Sequence, residues 1–577
     1  MENYKTIYQR WLNEKSIDEN TKEELIKISD DEKEIEDRFY KELEFGTAGM
    51  RGVIGAGTNR INVYNIRRAT MGVAKRVWEL GEEAKKAGVL IGYDTRKFSK
   101  VFAEETAKVL CANGVKVYLF DKVHSVPEVS FGIRELSCSL GVMITASHNP
   151  KEYNGYKVYG SDGGQLPPDS AKIVIDAIDK CDIFDDVLTM PLDKAKEEGL
   201  LEYVGEELDE KFLKTIKKEQ QNPEAIEAVG DTFKLLYTPF HGTGSRPIKK
   251  ILNEIGFKNL YVVEEQDTED ENFSTVKSPN PEEKEGFTLA IKMAKENDID
   301  LIIGTDPDCD RVGVVVRDKK GEYQVLTGNQ TGALLCEYIL SSRKEKNNLP
   351  KNSVVIKTIV TTELTCEITK HYGVEIMNVL TGFKYIGEKM SEFEKTKEHT
   401  YVFGFEESYG CLPGTYARDK DGVCATMLIA EMAAFYKTKN MSLYEAMEAL
   451  YEKYGYFCEK VVSVVMSGKD GMENMKKLME NLRVNPPKSI AGQNIIKTTD
   501  YKNKVIIENG NKTSFDTLPS SDVMKFNFED NKSQLIIRPS GTEPKVKFYI
   551  SSSQDNMEKA QQTVEKILED TKKTLNI

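Results

Sequence analysis

Short apolar runs punctuate the chain, separated by stretches with helical periodicity. Residues 140–144, Leu-Gly-Val-Met-Ile, are apolar without a break, and Asn149-Pro150 turns the chain soon afterwards. This pattern predicts a buried strand that delivers Ser147 and His148 into a loop. The same sequence of elements occurs three times: a β-rich run, a loop, a helical pattern ending at a glycine, a second strand, and a later strand that delivers a polar loop. The first copy opens at Val89-Leu-Ile-Gly-Tyr-Asp-Thr-Arg96, has its helix over 101–112, turns at Gly114 and delivers Ser147. The second opens at Lys234, turns at Gly256 and delivers Asp306; the third opens at Val354, turns at Gly373 and delivers Glu406. Each opening strand stands from its turn glycine at the distance of a crossover helix.

After Tyr451 the pattern changes to strand-like pieces over 456–465, 505–508, 534–538 and 545–551, with helical stretches over 471–482 and 555–576. The expected fold class is therefore α/β: three successive similar α/β domains with mixed sheets, then a C-terminal α+β domain. The expected boundaries are 1–205, 206–325, 326–453 and 454–577, with the polar loops meeting at a central cleft, where open α/β sheets hold their ligands.

Composition narrows the partners. Eighty Lys and Arg against 94 Asp and Glu leave a net charge of -14, which argues against nucleic acid or an anionic membrane. An anion, if bound, needs local cations. The N-terminal stretch is acidic and amphipathic, unlike a signal or transit peptide, and the apolar run at 424–436 is interrupted by Glu431 and too short to span a bilayer. Nine cysteines without paired spacing read as reduced core residues. The expectation is a cytoplasmic protein, a monomer or weak dimer.

The candidate chemistry lies in four loops. Ser147 is a candidate nucleophile and His148 a nearby proton acceptor, although a bland polar turn is the commoner explanation of that hexapeptide taken alone. In Asp306-Pro-Asp-Cys-Asp-Arg311, carboxylates at i, i+2 and i+4 on extended backbone would point to one side. Three crowded negative charges call for a cation, and all-oxygen ligands favour Mg²⁺ over zinc. An EF-hand is excluded, because Arg311 and Arg317 stand where that loop needs Gly and Glu. Gly404-Phe-Glu-Glu-Ser-Tyr-Gly410 suits recognition of sugar hydroxyls and is explained about as well by a surface turn. Arg538-Pro-Ser-Gly-Thr-Glu-Pro-Lys545 offers a guanidinium, two hydroxyls and backbone N–H groups as a phosphate cradle. His241 reads as a turn histidine. Lys384 serves either as a phosphate or sugar contact or as a solvated lysine.

All four loops together, in this order, resemble the α-D-phosphohexomutases over nearly the whole chain, in the longer branch that holds phosphoglucomutases and phosphopentomutases. Supporting motifs are Gly46-Thr-Ala-Gly-Met-Arg-Gly52, Asn154-Gly-Tyr-Lys157 and Lys420-Asp-Gly422. Relatives often carry Asp in place of Ala48. The resemblance implies that Ser147 is a phosphoserine and that its phosphate joins Asp306, Asp308 and Asp310 in binding Mg²⁺. It implies a sugar-selecting loop at Glu406 and Ser408 and a phosphate site at Arg538, Ser540, Gly541 and Thr542. Arg51 and Lys157 fall near the transferring group, Arg311 and Lys384 among the substrate contacts, and the general acid/base is His148 or Lys420.

The implied activity is reversible interconversion of glucose 1-phosphate and glucose 6-phosphate, with glucose 1,6-bisphosphate as intermediate and activator. Pentose or mannose phosphates are alternative substrates. Two other readings are an aspartate-nucleophile phosphomutase, with Asp306 phosphorylated, and a non-catalytic sugar-phosphate sensor.

Overall fold

The computed structural model describes residues 3–46, 49–466, 471–540 and 545–575. Its contacts divide the chain into two compact units, one of residues 1–331 with 383–443 and the other of residues 332–382 with 444–577.

The first unit contains two sheets of one plan. In the seven-stranded sheet, Val89–Tyr93 lies between Val117–Phe120 and Leu140–Ile144, parallel to both. In the five-stranded sheet, Lys234–Thr238 lies in the same way between Asn259–Val262 and Leu301–Thr305. The strand that delivers each polar loop then pairs antiparallel with the strand after that loop. Leu140–Ile144 pairs with Tyr153–Gly160, and Leu301–Thr305 with Val312–Arg317. The repeated sequence pattern is thus a repeated topology, with Ser147 and Asp306 just beyond the C-terminal ends of corresponding strands. Both delivering strands are buried along their whole length, which explains why they read as unbroken apolar runs rather than alternating ones.

The third copy is recognisable element by element. Ser353–Thr358 pairs in parallel with Glu375–Val379 around the helix Leu364–Tyr372. Separately, Thr400–Phe405 pairs antiparallel with Cys411–Leu412. The helix Gly422–Thr438 carries the long apolar run, and Glu431 explains its interruption. This buried carboxylate accepts bonds from the Gln221 and Asn222 N–H groups and from Gln220 Nε2, so it ties the helix to the segment before the second sheet. Among the described residues no helix is long and apolar enough to cross a membrane. All nine cysteines are free.

The second unit holds the eight-stranded antiparallel sheet of the C-terminal domain. The helices Gly471–Val484 and Met557–Leu575 bury Met479, Leu482, Val564 and Ile567 against Phe526, Leu535 and Phe548. The α+β reading stands, but sequence pattern missed the strands Gln493–Asp500 and Met524–Phe528. Met524–Phe528 alternates over only a short run and Gln493–Asp500 is half-buried along most of its length without alternating, patterns that sequence alone cannot separate from loop. The end of the predicted final helix, Asn576, lies outside the described residues.

Three N-terminal helices, Tyr4–Asn13, Glu19–Lys27 and Glu32–Phe39, close a small core of their own. Trp11, 1% exposed, meets Phe39, Tyr64 and Phe184 edge to face at centroid distances of 5.4–5.8 Å. Trp11→Ala is expected to destabilise this region by about 3–5 kcal/mol. A urea titration followed by circular dichroism should then show an earlier first transition; an unchanged curve would mean that these helices dock without contributing stability.

Candidate active site

Every sequence-predicted site residue from the first three loops falls in the first unit, and the structure brings most of them to one place. Ser147 is 3% exposed and has a left-handed backbone, φ 54°. Its N–H donates to Thr145 Oγ1 at 2.8 Å, its Oγ donates to Asp306 Oδ2 at 2.9 Å, and the same Oγ lies 3.2 Å from His148 Nδ1.

The aspartate loop corrects one expectation. Its carboxylates do not converge through extended pleating. The Cys309 N–H closes a turn onto the Asp306 carbonyl at 2.9 Å, and Cys309 is left-handed with φ 53°. A turn packs the three carboxylates more tightly than a strand, which would space alternate side chains about 7 Å apart. Their ligand oxygens all lie within 4.8 Å of one another, and all three residues are buried.

Backbone contacts from three directions hold that turn. The Thr243 N–H donates to the Pro307 carbonyl at 2.9 Å, the Val126 N–H to the Asp308 carbonyl at 2.9 Å, and the Gly422 N–H to the Cys309 carbonyl at 3.0 Å. Glycines permit the approach: a Cβ at Gly242 would stand 2.5 Å from Pro307 Cα, and one at Gly422 would stand 2.6 Å from the Cys309 oxygen. With the loop carbonyls satisfied outward, the carboxylates are left facing inward.

Charge is dense here. Lys157 Nζ is 2.8 Å from Asp308 Oδ2 and 3.5 Å from Asp310 Oδ2; Lys420 Nζ is 3.3 Å from Asp310 Oδ2 and 3.0 Å from Asp419 Oδ1. Burial, then repulsion from Asp308 and Asp310, drives the Asp306 carboxyl well above its ordinary range. Asp310 is pulled the other way: burial opposes its charge, but Lys420, Lys157 and Arg311 outweigh it. The same pairing overcomes burial at Lys157 and Lys420 and keeps both as ammonium groups. Burial, reinforced by Arg311 and Arg51, holds His148 well below its ordinary value, hence neutral.

The donor set fits a hard cation. Asp308 Oδ1 and Asp310 Oδ1 are buried with no hydrogen-bond partner, which is costly for a carboxylate unless a cation takes the oxygen. A second acidic group, His124, Glu128 and Asp209, differs. Arg246 already sits on it, with Nη2 2.8 Å from His124 Nε2 and 3.0 Å from Asp209 Oδ2.

The remaining candidates surround this centre. Arg51 Nη1 donates to Asn149 Oδ1 at 2.8 Å. Arg311 Nη1 pairs with Glu282 at 2.7 Å. Glu406 is buried, its N–H bonded to the Gly410 carbonyl at 2.9 Å, while Ser408 is half-buried in the same turn. Lys384 lies in the first turn of the helix Phe383–Thr396, with Nζ 5.0 Å from the centre of the Tyr385 ring. Burial lowers its pKa. In the second unit, Arg538 lies near the end of the strand Ser533–Pro539 and Ser540 follows it, and the Ser540 N–H reaches the Lys545 carbonyl at 2.6 Å. Gly541 and Thr542 lie outside the described residues, as do Thr47 and Ala48. Sequence reasoning missed Thr145, Asp419 and Arg96. Thr145 opens the serine motif, Asp419 directly precedes Lys420, and Arg96 ends the first repeat's opening run. Adjacency was their only signal.

Comparison with known proteins agrees with the repeated α/β fold. Family models for phosphoglucomutase/phosphomannomutase α/β/α domains I, II and III match residues 42–183, 210–321 and 327–454. A phosphoglucomutase of Staphylococcus haemolyticus is 38% identical over 92% of this chain and 94% of its own. One from Staphylococcus saprophyticus is 34% identical over 95% and 98%. Among solved structures, the fold resembles parafusin, a phosphoglucomutase of Paramecium, with a TM-score of 0.68 at 18% identity, covering 93% of this chain and 95% of that one. It also resembles a phosphoglucomutase/phosphomannomutase family protein of Burkholderia thailandensis, with a TM-score of 0.66 at 18% identity and coverage of 92% and 96%. With a serine loop, a three-aspartate turn and paired lysines assembled on the repeated α/β domains, the chain belongs to the α-D-phosphohexomutase family.

Proposed function

We propose that the protein is a phosphoglucomutase, interconverting glucose 1-phosphate and glucose 6-phosphate through a phosphorylated Ser147. The observation that carries this reading is the approach of Ser147 Oγ to the aspartate turn, 2.9 Å from Asp306 Oδ2, with His148 Nδ1 at 3.2 Å. A phosphoryl group on that oxygen would enter a site already supplied with lysines and with carboxylate oxygens suited to a cation.

In the forward direction, the free 6-hydroxyl of glucose 1-phosphate attacks the phosphorus of phospho-Ser147. The P–O bond to Ser147 breaks, the hydroxyl proton leaves to a base, the departing Ser147 oxygen takes up a proton from a general acid, and glucose 1,6-bisphosphate forms. The bisphosphate turns over and its 1-phosphate is returned to Ser147, releasing glucose 6-phosphate. Asp306, Asp308 and Asp310, with a phosphate oxygen on Ser147, would hold Mg²⁺, whose charge polarises the transferring phosphoryl group. Phosphoryl transfer depends mainly on positioning and charge stabilisation. Lys157 supplies fixed positive charge beside the transferring group, and Lys420, held by Asp419, does the same on the Asp310 side. His148 is the proton acceptor at Ser147, and charged Lys420 is the proton donor available nearby. Arg538, Ser540, Gly541 and Thr542 take the remote phosphate by virtue of their chemistry, and Glu406 and Ser408 read sugar hydroxyls. The substrates are small sugar phosphates, with glucose 1,6-bisphosphate as activator.

An aspartate nucleophile is disfavoured by the hydrogen bonds of Asp306. Its Oδ1 accepts from the Asp310 and Arg311 N–H groups at 3.1 and 3.0 Å, and its Oδ2 accepts from Ser147. Both oxygens are engaged in holding the turn and the serine, so an attack by Asp306 would have to give up one of these bonds.

Ser147→Ala is expected to cut turnover of glucose 1-phosphate by on the order of 10⁴ or more and to remove an acid-stable phosphate from the peptide containing residue 147. Mass spectrometry and a coupled assay read both, and an active alanine variant would sink the serine carrier. Assaying glucose, mannose and ribose 1-phosphates side by side tests the substrate, with glucose expected to give the highest kcat/KM.

Asp308→Asn should weaken Mg²⁺ binding, measured calorimetrically, by at least about tenfold. Chelation of the wild type should abolish turnover until Mg²⁺ is restored. Equal Mg²⁺ affinity in the variant and the wild type would exclude the aspartate turn as the metal site.

A further inference from the structure

The left-handed conformation of Ser147 needs an external constraint, since a residue with a side chain pays a local penalty there. The structure offers one in Arg96. Its side chain is wholly buried, and its guanidinium donates to four carbonyls of the same loop: Nη2 to those of Ser147 and Asn149, and Nη1 to those of Pro150 and Tyr153 at 2.9 and 3.2 Å. One planar fork therefore fixes the backbone on both sides of His148. Asp94 holds the fork from behind, with Oδ2 3.3 Å from Arg96 Nε, and its other oxygen accepts from the Arg96 N–H and Ser99 Oγ.

The front of the guanidinium is covered by the second α/β domain. Arg96 Cζ lies 4.9 Å from the centre of the Phe273 ring, and Phe273 is 1% exposed. Five residues further on, Ser278 Oγ donates to the His148 carbonyl at 3.0 Å. Residues 264–278 thus form a strap over the serine loop. His241 anchors the strap: its N–H donates to the Gln266 carbonyl at 2.8 Å, Nδ1 to the Thr268 carbonyl at 3.1 Å, and Nε2 accepts from Thr275 Oγ1 at 2.8 Å. A carbonyl can only accept, so Nδ1 carries the proton.

We propose that Arg96, held between Asp94 and the Phe273 strap, is the positioning residue that keeps the Ser147 loop in its transfer-competent conformation. The strap makes that conformation depend on docking between the first two α/β domains. Neither Arg96 nor Phe273 touches the reacting atoms. They act through the loop backbone and should govern kcat rather than substrate affinity. The catalytic part of this inference rests on Ser147 as phosphoryl carrier; the clamp on the loop does not.

The experiment uses the full chain and two variants. Phe273→Leu removes the ring face and keeps an apolar filler. Arg96→Lys keeps the charge beside Asp94 and loses the planar fork. Peptide-resolved hydrogen exchange is expected to show residues 145–153 exchanging about tenfold faster or more in both variants, with the sheet strands unchanged. Steady-state assays are expected to show kcat lower by about tenfold to a hundredfold with KM nearly unchanged. Unaltered exchange of 145–153 in both variants overturns the proposal. So does acceleration spread evenly over both domains, the mark of a merely structural role. Absence of phosphate on Ser147 in the wild type would refute the serine carrier while leaving the exchange comparison intact.

Discussion

Three buried carboxylates on a five-residue turn, with ligand oxygens within 4.8 Å of one another, are the constraint on which the site depends. Uncompensated, such a cluster would unfold or hold its protons, and the upward displacement of Asp306 records that pressure. Compensation comes from distant parts of the chain. Lys157 arrives on Tyr153–Gly160, the strand paired with the one that delivers Ser147. Lys420 arrives just before the helix Gly422–Thr438. Two buried carboxylate oxygens, Asp308 Oδ1 and Asp310 Oδ1, still lack a hydrogen-bond partner, the arrangement expected where a divalent ion belongs.

The turn keeps its shape because its backbone is satisfied first. The carbonyls of Pro307, Asp308 and Cys309 are each taken by an N–H from a different segment, and two of these donors lie in the first turns of helices, where N–H groups would otherwise lack partners. The side chains can then be spent on ligand and substrate. The serine loop is built on the same principle, with one arginine satisfying four carbonyls. In both loops groups outside the reaction hold the backbone carbonyls, while in the aspartate turn Asp306 Oδ1 also takes the Asp310 and Arg311 N–H groups.

Legibility in the sequence followed burial. Strands buried on both faces, such as Leu140–Ile144 and Leu301–Thr305, appear as unbroken apolar runs and were readable to within a residue. Strands in the antiparallel C-terminal sheet that are only half-buried, such as Gln493–Asp500, were not. Residues in compact motifs, Ser147, His148 and the three aspartates, could be named because adjacency itself implied shared chemistry. Arg96 and Asp419 could not, since an arginine after a strand and an aspartate before a lysine have many ordinary explanations. His241 shows the opposite case: a turn histidine by sequence, it anchors the strap over the serine loop.

The sequence by itself determined the repeated α/β order, the loops that carry chemistry, and the charge balance that makes a local cation cluster meaningful. These are properties of neighbouring residues, and hydrophobic period and motif order report them directly. Tertiary structure alone decided that the aspartates converge through a turn rather than a pleat, and which lysines neutralise them. It also decided that an arginine more than fifty residues upstream clamps the serine loop, as the separation of Arg96 from Asn149 requires. Charge compensation and backbone satisfaction act through space at distances of a few ångströms, and chain order does not encode which distant segment will supply them.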